Sequence, residues 1–158
     1  MPNLRKIIII LLLATGLIQA EEESAKVVYD LTTKDIATFE KKILSAIAVN
    51  KTHYEKSLRE LDVTVVIHGG AYRFFATDPA KSVYKNDKAL LKTYKDLAQR
   101  LKTMADTYEV EFLMCGVGMR KNKLKAKDVY SFVEVVPNST IGLIDKQNEG
   151  YAYIPIKD

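Results

Sequence analysis

The sequence predicts an α/β domain built around a mostly parallel sheet that helices cover on both faces. Short apolar runs, typical of strands, alternate along the chain with longer segments in which apolar residues recur at helical spacing. The run from Val63 to Ile67 is apolar at nearly every position, as in a strand buried on both faces. The length of 158 residues suits one domain, and no repeat or low-complexity tract divides the chain.

Residues 1–20 are predicted to be a signal peptide rather than part of the domain. A basic start precedes the apolar run from Ile7 to Ile18, which is shorter than the roughly 20 residues of a membrane-spanning helix. Cleavage after Ala20 would leave residues 21–158 as one periplasmic domain with no stable membrane insertion. An uncleaved anchor is the alternative, because isoleucine is large for the third position before a cleavage site.

Charge and cysteine content narrow the classes of function. The formal net charge is +4, of which Arg5 and Lys6 in the predicted signal peptide supply two charges. The remainder is too small to indicate a nucleic-acid partner or an anionic membrane. The chain has one cysteine, Cys115, which therefore forms no intrachain disulfide. In an exported protein such a residue indicates a free thiol or an intermolecular bond, and a small buried apolar side chain is the simplest alternative.

The first half of the domain predicts a strand, a helix and a second strand. A β-branched run over Lys26–Leu31 is the first strand, and the polar residues after it, Asp35 among them, can cap a helix. The helix carries an apolar stripe: Ile36, Phe39, Ile43, Ala46 and Ile47. It is expected to end near Asn50, with a further turn available in residues 52–60. The second strand ends at His68.

The second half begins with residues 71–86, which predict a short helix and an irregular excursion. Its aromatic residues are expected to join the core, and a pocket wall or an oligomer contact is the alternative. A long amphipathic helix follows, with its apolar face formed by Leu90, Leu91, Tyr94, Leu97, Ala98, Leu101, Met104 and Ala105. Residues 108–116 and 132–137 predict the third and fourth strands. The fourth ends at Pro137, because proline cannot donate to an interior ladder.

The C-terminal residues predict one more helix and a final strand. Asn138 or Ser139 can cap that helix, and Gly150 suits a left-handed exit from it. The last strand covers residues 151–156. Strands that alternate with helices in this way indicate a parallel or mostly parallel sheet.

Two chemically active residues stand where the predicted second and third strands end. Ligands of open α/β sheets bind outside the carboxyl ends of the strands, and His68 and Cys115 both project toward that edge. Backbone amides of the turn at Gly116, with Arg120 and Lys121 close behind, would favour the thiolate over the thiol. If the two strands are neighbours, His68 can hydrogen-bond the sulfur or accept its proton. A structural imidazole bonded to backbone is the alternative for His68.

Other catalytic signatures are absent from the sequence. The GVG step after the third strand hints at a dinucleotide loop, but Lys121 occupies the third glycine position of that fingerprint. The chain contains no phosphate loop, no GxSxG elbow and no CxxC pair, and its two histidines are not spaced as metal ligands. No cofactor or metal is therefore predicted.

Four segments carry a family resemblance, in this order: KVVYDLTT, VVIHGG, EFLMCGVGM and VEVVPNSTIGLIDKQNEGYAYIPI. Together they resemble the DsrE/DsrF-like sulfur-relay family, in particular its exported, single-cysteine members. The resemblance implies a three-layer α/β/α sandwich around a five-stranded sheet, assembled as a homo-oligomer, a trimer or a hexamer. It also implies that Cys115 carries sulfur as a persulfide, with Gly116 shaping the turn and His68 matching the family's His-Gly step. The chain departs from many relatives after Cys-Gly, where it has Val117, Gly118 and Met119 in place of Asn-Thr-Met.

Three functions follow as hypotheses. The first is a sulfur carrier that accepts sulfane sulfur on Cys115 and passes it from a donor protein to an acceptor protein by thiol exchange. Its candidate substrate-binding residues are Gly69, Gly70, Gly116, Arg120 and Lys121. The second is a binding or assembly module in which Cys115 is only packed and the glycine edge holds a small anion or a partner. The third, a thiol oxidoreductase, lacks a resolving cysteine.

Overall fold

The computed structural model describes residues 24–158, so the predicted signal peptide lies outside the described residues. The strands are β1 (Ala25–Leu31), β2 (Leu61–Ile67), β3 (Glu111–Cys115), β4 (Val133–Val136) and β5 (Ala152–Ile156). They form one sheet in the order β4-β3-β2-β1-β5, and every pair of neighbours is parallel. The predicted five-stranded parallel sheet is therefore confirmed. No helix within these residues is long and apolar enough to cross a membrane.

The helices are α1 (Ile36–Phe39), α2 (Ala46–Lys56), α3 (Lys88–Asp106), α4 (Gly116–Lys121) and α5 (Ser139–Asn148). A π-helical stretch, Glu40–Ser45, joins α1 to α2 without a break. This segment was expected to be one helix ending near Asn50, with a further turn available in residues 52–60. It continues to Lys56, where Tyr54 packs against the core. Ile43 and Leu44, two consecutive residues of this π-helical stretch, are both buried.

The predicted caps are present at both ends of the chain. The Asp35 carboxylate accepts a hydrogen bond from the Thr38 amide at 2.6 Å and begins α1. The Asn138 side chain accepts one from the Ile141 amide at 3.0 Å and begins α5. Gly150 leaves α5 with a φ of +90°, the left-handed conformation that its position predicted.

The two faces of the sheet are covered unequally. Helices α1 to α4 pack on one face, which we call the broad face, and its core includes Phe39, Leu97, Phe112 and Met119. Helix α5 packs on the other, the α5 face, over a small cluster: Val28, Val66 and Leu113, with Val136, Leu143 and Tyr151 at its margin. The sheet is thus the middle layer of an α/β/α sandwich.

Candidate functional site

Cys115 is the last residue of β3 and immediately precedes α4. Alternation along β3 directs its side chain toward the face of Leu113, which α5 covers, and Ser139 at the start of α5 acts on the thiol. The buried side chain also packs with the core of the broad face, to which Phe112 and Met114 belong. The residue is only 6% exposed. Its sulfur therefore lies just below the carboxyl edge of the sheet, between the beginnings of α4 and α5.

Neutral hydrogen-bond donors favour ionisation of this thiol. Burial opposes ionisation and is the largest single influence on the pKa of Cys115. The backbone amide of Gly118, the hydroxyl of Tyr72, and the amide and hydroxyl of Ser139 together outweigh it and lower that pKa below the ordinary value of a cysteine. The site can thus supply a thiolate in a nearly dry setting.

Tyr72 contacts Cys115 through a buried phenol. It is 1% exposed, and its hydroxyl donates to the carbonyl oxygen of Cys115 at 2.9 Å. Burial raises the pKa of Tyr72 strongly, so its hydroxyl keeps its proton at any physiological pH. A phenol has one hydrogen to donate. This hydrogen is directed to the Cys115 carbonyl oxygen, and the same hydroxyl is among the groups that lower the pKa of the Cys115 thiol.

Gly118 packs directly against Tyr72. A Cβ built at this glycine would lie 2.0 Å from the Tyr72 hydroxyl oxygen and 2.6 Å from its ring carbon Cζ. Only a residue without a side chain allows the amide of position 118 and the phenol to approach the sulfur together. The sequence indicated Tyr72 as a core residue, with a pocket wall or an oligomer contact as the alternative, because nothing in the local pattern says that its hydroxyl ends beside Cys115.

The second strand ends at Ile67 rather than at His68, so His68 directly follows β2, the strand that neighbours β3 and Cys115. Its imidazole Nε2, however, is paired with the Asp30 carboxylate on β1. It is not among the groups that act on the pKa of Cys115 within residues 24–158. The expected contact between His68 and the sulfur is thus replaced, in the free protein, by an Asp30–His68 pair.

The glycines at the carboxyl edge have close backbone neighbours. Gly69 has a φ of +60°, and a Cβ there would lie 3.1 Å from the Thr32 carbonyl oxygen. A Cβ at Gly70 would lie 2.7 Å from the Lys34 Cβ, and one at Gly116 would lie 3.0 Å from the Val136 carbonyl oxygen. Glycine is required at these three positions because the loops that follow β1, β2 and β4 pack too closely to admit a side chain.

The structure places the predicted basic residues differently from the sequence-based expectation. Arg120 and Lys121 lie in the last turn of α4, and both are exposed. The Arg120 guanidinium reaches to 3.4 Å from the position that a Cβ of Gly116 would occupy. Among the described residues, however, neither cation is one of the groups that lower the pKa of Cys115. Neutral donors take the place of the expected cations, because the sulfur is buried and both charges are at the surface.

Within residues 24–158, no three His, Cys, Asp or Glu side chains come together as metal ligands.

Comparisons with known proteins agree with this architecture. The chain is 37% identical over 95 residues to an uncharacterized protein from Aquifex aeolicus, a match that covers 55% of the chain and 41% of that relative. The chain thus spans less than half of that relative's length. A solved structure, a protein of unknown function from Methanobacterium thermoautotrophicum, is similar with a TM-score of 0.52 and 22% identity, covering 84% of this chain and 99% of the other, and shows the same fold. The model of the DsrE/DsrF-like family matches residues 26–156, and the chain therefore belongs to that family.

Proposed function

We propose that this protein is an exported sulfur carrier that holds sulfane sulfur as a persulfide on Cys115 and passes it to the thiol of a partner protein. Membership in a sulfur-relay-type family supports the class of chemistry. The observation that carries the proposal is the set of neutral hydrogen-bond donors, from Gly118, Tyr72 and Ser139, that lowers the pKa of the buried Cys115 thiol. A thiolate is the nucleophile in sulfur exchange, and a thiol with a lower pKa is also the better leaving group.

Both half-reactions are displacements without net oxidation. In loading, the Cys115 thiolate attacks the outer sulfur of a donor persulfide. A Cys115 Sγ–S bond forms, and the donor's S–S bond breaks to release its thiolate. In unloading, an acceptor thiolate attacks the outer sulfur, the Sγ–S bond breaks, and Cys115 leaves as a thiolate that Gly118, Tyr72 and Ser139 stabilise. The nearly dry site would protect the persulfide from solvent and oxidants between the two steps.

Sulfur loading provides the direct test. After incubation with inorganic polysulfide and removal of the reagent, we expect intact-protein mass spectrometry to show added sulfur on the wild-type chain. The Cys115→Ser variant should take up none, because the chain has no second cysteine. Equal addition to the Cys115→Ser variant would refute the assignment of the persulfide to Cys115.

The pH dependence of alkylation tests the lowered pKa. We expect the rate of reaction with iodoacetamide to rise with pH and to level off above the pKa of Cys115. Its midpoint should lie below the roughly 8.5 of an ordinary cysteine. Ser139→Ala removes one donor and should shift the midpoint upward. Thr140→Ala, an exposed neighbour, is the matched control and should leave it unchanged. A wild-type midpoint at or above the ordinary value would contradict the proposed activation.

The second candidate is a binding or assembly module in which Cys115 is only packed. The 6% exposure of Cys115 favours it. Slow alkylation at every pH, with no uptake of sulfur, would support this alternative over the carrier.

Self-association is compatible with both functions. Exposed apolar side chains lie on α5 and β5, namely Ile141, Ile144, Tyr153 and Ile154. They support the proposed homo-oligomer, and equilibrium sedimentation distinguishes a trimer or a hexamer from a monomer.

A further inference from the structure

A second polar cluster lies on the α5 face at the carboxyl edge of the sheet. Its centre is the Asp30 carboxylate on β1, which is 14% exposed at its side chain. One carboxylate oxygen is paired with Nε2 of His68, and the other accepts a hydrogen bond from the Tyr153 hydroxyl at 2.6 Å. Residues from β1, from β5 and from the end of β2 therefore meet in one arrangement, with both oxygens of the carboxylate engaged.

This arrangement selects one form of the His68 ring. Because an ionised carboxylate only accepts hydrogen bonds, Nε2 must carry the hydrogen that lies between His68 and Asp30. In the neutral imidazole, Nδ1 is then the nitrogen with a free lone pair. Nδ1 makes no hydrogen bond within residues 24–158. The hydrogen bond to Asp30 raises the pKa of Tyr153, so its hydroxyl remains protonated and continues to donate.

The strand register brings this ring beside Cys115. Ile67, the last residue of β2, is aligned with Met114 on β3, and His68 and Cys115 are the residues that follow this pair in the chain. His68 still pairs with the neighbouring strand, since its amide donates to the Leu31 carbonyl at 3.0 Å. Adjacent strands lie about 5 Å apart. His68 contacts Asp30 on the α5 face, and alternation along β3 directs Cys115 toward the same face, so the two residues occupy adjacent positions at the carboxyl ends of neighbouring strands.

We propose that Asp30 and Tyr153 are positioning residues that hold His68 with Nδ1 free, and that His68 is the proton carrier for sulfur transfer at Cys115. This inference rests on the proposed function. In unloading, Nδ1 accepts the proton of the acceptor thiol, and the resulting thiolate attacks the outer sulfur of the persulfide. The Sγ–S bond of Cys115 breaks, and the departing sulfur takes the proton from the imidazolium. The acceptor gains one sulfur atom and Cys115 returns to a thiol, so atoms and electrons balance.

The orientation of His68 can be measured without any sulfur chemistry. The nitrogen-15 NMR shifts of the imidazole distinguish its tautomers, and His53→Gln removes the signals of the other histidine. We expect the Nε2–H tautomer in the wild-type chain and its loss in Asp30→Asn, whose amide can donate toward Nε2. Asp62→Asn is the matched control, because Asp62 lies on the same face at the opposite end of β2. A wild-type Nδ1–H tautomer would overturn the positioning role.

Transfer of sulfur to glutathione tests the role of the proton carrier. Starting from polysulfide-loaded protein, we expect His68→Gln to transfer at least about a hundredfold more slowly and Asp30→Asn about tenfold more slowly. Tyr153→Phe, a change at an exposed side chain that leaves folding intact, should show a smaller loss in rate. Asp62→Asn should transfer at the wild-type rate. A wild-type rate in His68→Gln would overturn the inference.

Failure of the proposed persulfide function can be distinguished from failure of the role of His68. If the wild-type chain takes up no sulfur, alkylation of Cys115 by iodoacetamide still reports whether His68 serves this thiol. Slower alkylation in His68→Gln and in Asp30→Asn, with Asp62→Asn unchanged, would support the proton-carrier arrangement without the persulfide. Equal alkylation rates in all four proteins would overturn it.

Discussion

Replacing Gly118 with alanine is expected to destabilise the protein and to raise the pKa of Cys115. The new methyl group would lie 2.0 Å from the Tyr72 hydroxyl oxygen, and Tyr72 is buried, so the phenol must move away. Overpacking of this severity costs about 3 kcal/mol of unfolding free energy, and the helix preference of alanine offsets only about 1 kcal/mol. Moving Tyr72 also withdraws one donor from the sulfur, so the thiolate becomes less favourable.

Urea denaturation and the pH profile of alkylation measure these two effects. Gly142→Ala is the matched control, because Gly142 is also a helical glycine that is buried, but a Cβ there would meet Val136 only at an ordinary contact of 3.5 Å. We expect that variant to be as stable as the wild type or more stable by up to about 1 kcal/mol, and to keep its thiol reactivity. If Gly118→Ala matched it in both measurements, the close approach of Gly118 and Tyr72 would not exist in solution.

Replacing Phe39 with alanine is expected to have the largest effect on stability. The ring is fully buried and stacks on Phe74 with 4.2 Å between the ring centroids, and it meets Phe75 edge-on at 6.0 Å. Removing a buried phenyl group costs about 3–5 kcal/mol, and a small domain has only about 5–15 kcal/mol in total. The variant should therefore be close to unfolding at room temperature.

The urea midpoint of the Phe39→Ala variant measures this loss. Phe39→Leu retains most of the buried volume and should lose much less stability. Val49→Ala is the surface control, because Val49 is 68% exposed, and it should change the unfolding free energy by less than about 0.5 kcal/mol. A Phe39→Ala variant as stable as this control would show that the aromatic cluster contributes little to the stability of the broad face.

Most of the fold could be predicted because its signals are local. The apolar run in β2, the apolar stripe of α3 and the caps at Asp35 and Asn138 each lie within a few residues of the element that they specify. The π-helical stretch after Phe39 could not be predicted, because it depends on how Ile43 and Leu44 fit the core. The order of the strands in the sheet could not be predicted from the hydrophobic pattern either, because strand pairing joins residues that are far apart in the sequence.

In the candidate site, too, the features that are local in sequence could be predicted and the contacts between distant residues could not. The sequence placed Cys115 and His68 at the carboxyl edge because each directly follows a run of strand residues. It could not show that the Asp30 carboxylate would engage His68, 38 positions away in the chain. Arg120 and Lys121 were expected to activate the thiol because they are near it in sequence, but exposed charges act weakly on a buried sulfur.

By itself, the sequence determined the α/β alternation and the position of the single thiol at the end of a buried strand, since periodicity and residue identity are local properties. Only the tertiary structure decided what surrounds that thiol. The Tyr72 hydroxyl is 43 positions from Cys115 in the chain, and Ser139 arrives with a helix that packs on the α5 face. Folding brings these donors together because the crossovers of a parallel sheet carry distant segments to the same edge.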